Sequence, residues 1–97
     1  MSERERLSLE TFYHIAVTGD LLKALQPCGV WVQTYPRDWE APNMLGSIYN
    51  MLGQNDKALP HYREALQLYP DSGLIYENLV FLYISLNRFD DARTTLQ

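Results

Sequence analysis

The feature that most constrains this chain is an internal period. Displaced by 34 residues, the sequence meets itself: Gly19 falls on Gly53, Lys23 on Lys57, Ala24 on Ala58, Leu25 on Leu59, Gln33 on Gln67, Tyr35 on Tyr69 and Pro36 on Pro70. The same displacement carries Leu45 to Leu79, Tyr49 to Tyr83, Leu52 to Leu86, Asp56 to Asp90 and Ala58 to Ala92. A constant shift over the whole length is the mark of stacked, structurally equivalent units, because each unit repeats the same packing problem with its neighbour.

Within the period the apolar spacing is helical. Leu45, Ile48, Tyr49 and Leu52 form one stripe, and Leu59, Tyr62, Leu66 and Tyr69 form a second. Gly46 and Ala58 lack bulk, so two helix backbones can approach there. Asp38 and Asn55 are expected N-caps for the two helices. Pro42 lies in a first turn, where its missing N–H costs little. Gly53 is placed to end the first helix at positive φ, and Pro70 to stop the second. In the following unit Asp71 or Ser72 opens a helix, and Asn87 supplies the left-handed turn in place of glycine.

The order Leu45-Gly46, Tyr49, Gly53, Ala58, Tyr62, Ala65, Pro70 resembles the tetratricopeptide repeat signature. The chain then reads as a single domain, 1–97, with units at about 5–38, 39–72 and 73–97, the last incomplete. Pro42 stands where the signature often has tryptophan. Val80 and Asn87 replace glycines in the third unit, and Phe12 and Trp31 replace small residues in the first. The resemblance implies an all-α fold, a right-handed superhelical stack of antiparallel helix pairs. Six helices are expected near 7–18, 21–34, 39–52, 56–68, 73–85 and 88–97. An interior proline costs about 3 kcal/mol and a glycine about 1 kcal/mol. Pro27 with Gly29 therefore predicts a kink or break near residues 26–29, and Pro60 removes one bond early in its helix. Residues 35–39, Tyr-Pro-Arg-Asp-Trp, form a stiff junction across which Trp39 is expected to pack.

Composition narrows the function. With 46% hydrophobic and 21% charged residues the chain can bury a core. Its net charge of −4 and scattered bases give no basic face, which argues against nucleic acid. Cys28, the one cysteine, excludes an internal disulfide and a multi-cysteine zinc site, fits a reducing, cytoplasmic compartment, and is expected to be small buried filler. There is no signal-peptide pattern and no apolar run of roughly 20 residues. The segment is therefore expected to make no membrane contact of its own, although a longer parent protein could be membrane-anchored. His14 and His61 lie in different units, no phosphate-binding or nucleophile motif occurs, and no metal, cofactor or catalytic site is expected.

In tetratricopeptide repeats the first helix of each pair lines a concave groove that holds partner peptides. The resemblance places Leu9, Tyr13 and Val17 of unit one there, with Glu40, Asn43, Ser47, Asn50 and Met51 of unit two and Leu74, Glu77, Phe81 and Ile84 of unit three. Asn43 and Asn50, two turns apart, would face one way and pair with a peptide backbone. Some family members clamp acidic chaperone tails with Lys, Asn and Arg. The corresponding residues here, Leu9, Tyr13, Met44, Leu74 and Asn78, carry no base, so an apolar or weakly basic ligand is expected instead. The leading reading is a non-catalytic module binding a protein or peptide. The alternative is an architectural or self-associating segment of a larger protein, with homo-oligomer contact through the uncapped last helix at Phe89, Ala92 and Leu96. The stretches at 17–25, 34–39 and 70–80 resemble repeat tails of bacterial serine/threonine kinases and scaffold proteins, where such tails dock or sense.

Overall fold

The computed structural model describes residues 1–96, with side-chain surroundings through residue 95. All regular structure in that range is helical: α1 (Glu3–Tyr13) running into a π-helical turn (His14–Thr18), α2 (Leu21–Thr34), α3 (Glu40–Met51), α4 (Asn55–Leu68), α5 (Gly73–Ser85) and α6 (Phe89–Leu96). Consecutive helices pack as the hairpins α1/α2, α3/α4 and α5/α6, and the hairpins are joined through α2 on α3 and α4 on α5. The result is a right-handed superhelical stack of antiparallel pairs measuring 42 × 25 × 17 Å.

The period is visible in the backbone. At the end of α3 the Gln54 N–H donates to the Tyr49 carbonyl at 2.8 Å, and at the end of α5 the Arg88 N–H donates to the Tyr83 carbonyl at 2.8 Å. These paired bonds satisfy carbonyls that the helix end leaves open, and they need one left-handed residue. Gly53 supplies it at φ 78° and Asn87 at φ 59°. Between hairpins, the Asp38 N–H donates to the Tyr35 carbonyl and, one period later, the Ser72 N–H to the Tyr69 carbonyl. Ala24, Ala58 and Ala92 are all buried.

Two core clusters follow from this. Ala24, Cys28 and Trp31 of α2 pack with Ala41, Leu45 and Ile48 of α3. Ala58, Tyr62 and Ala65 of α4 pack with Ile75, Leu79 and Leu82 of α5. Gly46 admits the Tyr62 ring: a Cβ there would lie 2.9 Å from two ring carbons. Trp31, only 1% exposed, fills with bulk the position that Ala65 holds one period later.

Several sequence expectations are corrected. The chain does not break at 26–29; α2 runs unbroken through Pro27. The ring removes one backbone donor, and the packing of Ala24, Cys28 and Trp31 on the same helix holds the turn together. The irregularity sits instead at the end of α1, in the π turn. There the Thr18 hydroxyl donates to the His14 carbonyl at 3.1 Å and accepts the Asp20 N–H at 3.2 Å. This is local bonding of the kind that competes with a regular ladder. Asn55 is the first residue of α4 and makes no capping bond; its buried Oδ1 has no partner. Asp38 does receive the Glu40 N–H, at 3.2 Å, and Ser72 rather than Asp71 caps α5. Trp39 packs on Tyr69 at the second junction, 5.2 Å between ring centroids, rather than across its own.

Candidate functional site

The first helices α1, with the π turn that follows it, α3 and α5 carry residues that recur at the period and remain in contact with solvent. Tyr13, Ser47 and Phe81 are one such set; Val17 and Met51 belong to another; Glu40 and Leu74 to a third. Leu9, Tyr13, Val17, Met51, Leu74, Phe81 and Ile84 are large apolar side chains left exposed, Phe81 by 60%. Glu40 and Glu77 are exposed, and Ser47 and Asn50 are half-buried.

On unit one these residues border a cleft of about 600 Å³ lined by Met1, Arg6, Leu9, Glu10, Phe12, Tyr13, His14, Ala16 and Val17. Periodicity singles out Leu9, Tyr13 and Val17 but passes over Arg6, Glu10 and Ala16. The period does contain the signal, since Arg6 precedes Glu40, and Ala16 precedes Asn50, by one repeat. The π turn contributes His14, Ala16 and Val17 to the wall. Such turns interrupt α-helices at functional sites more often than elsewhere.

Electrostatics divide the face. Glu10 accepts a hydrogen bond from Arg6 Nη1 at 3.1 Å, and Glu40 accepts one from Arg4 Nη2 at 3.0 Å. Arg4 also pairs through Nε with Asp38, and its guanidinium lies 5.6 Å from the Trp31 ring centroid. Asp38 in addition accepts the buried indole N–H of Trp31 at 2.9 Å. Burial opposes the charge on Asp38, but the bonds from Arg4 and Trp31 outweigh it and hold the carboxyl below its ordinary pKa. This network ties the start of α1 to the junction before α3, so its work is to set unit one on unit two.

The amide residues differ from expectation in one respect. Asn43 is only 7% exposed, and its Oδ1 accepts the Asn78 amide at 3.1 Å. The bond bridges α3 and α5, so Asn43 joins two repeats and presents little of itself to a partner. Asn78, one period beyond Met44, lies outside the expected ligand set although its place in the repeat points to this face. Ser47 hydrogen-bonds both the Asn43 carbonyl and the Tyr62 hydroxyl. Burial raises the pKa of Tyr62, and the Ser47 bond partly opposes that rise.

Cys28 is fully buried with its Sγ 3.6 Å from the Ala41 carbonyl, and burial pushes its thiol up to about 12, far from the range of a nucleophile. His61 stacks on Tyr49 at 5.5 Å, and burial lowers its pKa. Among the described residues no group of three His, Cys, Asp or Glu is placed to hold a metal ion, and no helix is long and apolar enough to cross a membrane. The Leu96 side chain, part of the expected association surface, lies outside the described residues, as does Gln97. Ala92 is packed against α5 rather than open, whereas Phe89 is 56% exposed.

Known proteins agree with this architecture. Protein CTR9 homolog of Arabidopsis thaliana is 36% identical over 72 residues, covering 68% of this chain; the chain spans 7% of that relative's length. Among solved structures, a MamA point mutant superposes with a TM-score of 0.84 at 19% identity, covering 99% of this chain and 69% of that one. MamA MSR-1 gives 0.84 at 17% identity, over 95% and 52% of the two chains. At these identities the likeness concerns the fold. Repeats of this kind generally mediate protein–protein interaction and are typically non-catalytic. A family model for the tetratricopeptide repeat matches residues 32–97, more than half of the sequence, and the chain belongs to that family.

Proposed function

We propose that this chain binds an extended segment of another protein along the face formed by α1, α3 and α5, without catalysis. The observation that carries the reading is the row of period-related, solvent-facing side chains on the first helices: apolar on unit one, polar at Ser47 and Asn50, and apolar again at Leu74, Phe81 and Ile84. Large apolar side chains left exposed in register on successive repeats mark an interaction face. The buried, unpaired Cys28 accords with a cytoplasmic setting. The test compares baits in native lysate: wild type against a Tyr13→Ala/Phe81→Ala variant of unchanged helicity. Partners lost only from the variant support the face, and identical partners on both refute it.

A second reading, association through the last hairpin, is favoured by the exposure of Phe89 at the start of α6. Light scattering of wild type and Phe89→Ser decides it: a concentration-dependent oligomer abolished by the substitution is required.

A further inference from the structure

The helix α5 is apolar on both its sides. Ile75, Leu79, Leu82 and Tyr83 are buried, while Leu74, Phe81 and Ile84 are exposed. A helix that is apolar all round is normally covered all round. Its sequence from Gly73 to Ser85 contains one charged residue, Glu77, and that residue stands on the exposed side, three positions after Leu74 and four before Phe81. On the first helices of the other two units, Glu10 is paired with Arg6 and Glu40 with Arg4. Glu77 makes no ion pair among the described residues.

An occupant that covers Leu74, Phe81 and Ile84 strips water from the Glu77 carboxylate between them. Desolvating an unpaired carboxylate is costly, and a cation from the occupant offsets that cost. We infer that the α5 face takes a peptide segment carrying a Lys or Arg set directly beside large apolar residues, the cation on Glu77 and the apolar side chains on Leu74, Phe81 and Ile84. This rests on the groove reading above and gives it a chemical class of ligand. The polar stretch that follows on the face, Asn78 with Ser47 and Asn50, then meets uncharged residues of the segment, and the unit-one cleft takes a second bulky apolar side chain. A segment with an acidic residue in place of the cation is disfavoured by repulsion.

The experiment selects binders from a display library of random dodecapeptides on immobilised wild-type protein, and in parallel on Glu77→Lys and on Phe81→Asp. The expected wild-type enrichment is Lys or Arg flanked by Leu, Ile, Phe or Trp. On Glu77→Lys the enriched residue beside the apolar residues becomes Asp or Glu. A selected peptide should lose affinity about tenfold when its cation is made acidic, and the loss should reverse on Glu77→Lys. Enrichment of apolar residues with no charge preference, or a preference unchanged by Glu77→Lys, overturns the inference and leaves the groove reading standing. Failure to enrich anything on the wild type, or equal enrichment on Phe81→Asp, overturns both. A concentration-dependent dimer that Phe81→Asp dissolves would assign the face to a second copy and likewise overturns the inference.

Discussion

Replacing Gly46 by alanine isolates the closest contact in the stack. The new methyl would sit 2.9 Å from Tyr62 Cδ1 and Cε1 and 3.2 Å from Cγ. Ordinary carbon contacts lie near 3.5–4.0 Å, so the ring must retreat by roughly half an ångström or more. It has little freedom to do so. Tyr62 is 1% exposed, packs within the α4/α5 cluster and is tethered through its hydroxyl to Ser47 at 3.0 Å. Overpacking of this kind costs about 1–3 kcal/mol, whereas glycine to alanine inside a helix gains about 1 kcal/mol. The two effects oppose each other, so a control is needed. Gly29→Ala makes the same change within α2, where a Cβ meets nothing within 4 Å. Gly29→Ala is expected to stabilise by about 1 kcal/mol, and Gly46→Ala to fall below it by about 1–3 kcal/mol. Urea denaturation followed by circular dichroism reads both midpoints, and Tyr62→Leu combined with Gly46→Ala should recover part of the deficit. If Gly46→Ala stabilises as much as Gly29→Ala, the close approach of α3 and α4 is wrong.

Four further outcomes are expected. Asp38→Ala leaves the buried Trp31 indole N–H without its acceptor and should cost about 1–3 kcal/mol with a red-shifted tryptophan emission. Because the folded pKa of Asp38 is depressed, its stabilisation is complete above the unfolded value near 3.8 and is lost as pH falls through the folded value, so Asp38→Asn should flatten the acid limb of a stability–pH curve. His61 behaves likewise for the opposite charge type: with its pKa lowered from 6.5 by burial, stability is full above that value and declines as pH falls through the folded pKa, and urea midpoints of wild type and His61→Gln should converge or cross between about pH 7.5 and about pH 5. Cys28 should resist iodoacetamide in the folded protein at neutral pH and react once urea unfolds it; rapid labelling without denaturant would contradict its burial.

The helix pairs and their ends are legible in the sequence wherever one residue type meets a local backbone demand. Gly53 and Asn87 at left-handed turns, Ser72 as a cap and the small Ala24, Ala58 and Ala92 are such positions. Long-range partnerships are not. Nothing local in Arg4 indicates that it spans to Asp38 and Glu40, and Trp39 can be placed at a junction but not paired with Tyr69. Propensity overstates the effect of Pro27 because it counts a lost backbone bond and not the packing of Cys28 and Trp31 that keeps the helix whole. At the candidate site, periodicity groups Tyr13, Ser47 and Phe81, since equivalent positions in stacked units face alike. Asn43 looks available for a ligand because a polar side chain on that row suggests solvent; only the neighbouring repeat, through Asn78, takes it up.

Chemical-shift mapping with a peptide recovered from the library tests the central claim, that the first helices form the binding face. Amide and side-chain shifts are expected to concentrate at Tyr13, Val17, Ser47, Met51, Glu77 and Phe81, with α2 and α4 largely silent. Shifts confined to α2, α4 or α6, with those six residues unmoved, would contradict it.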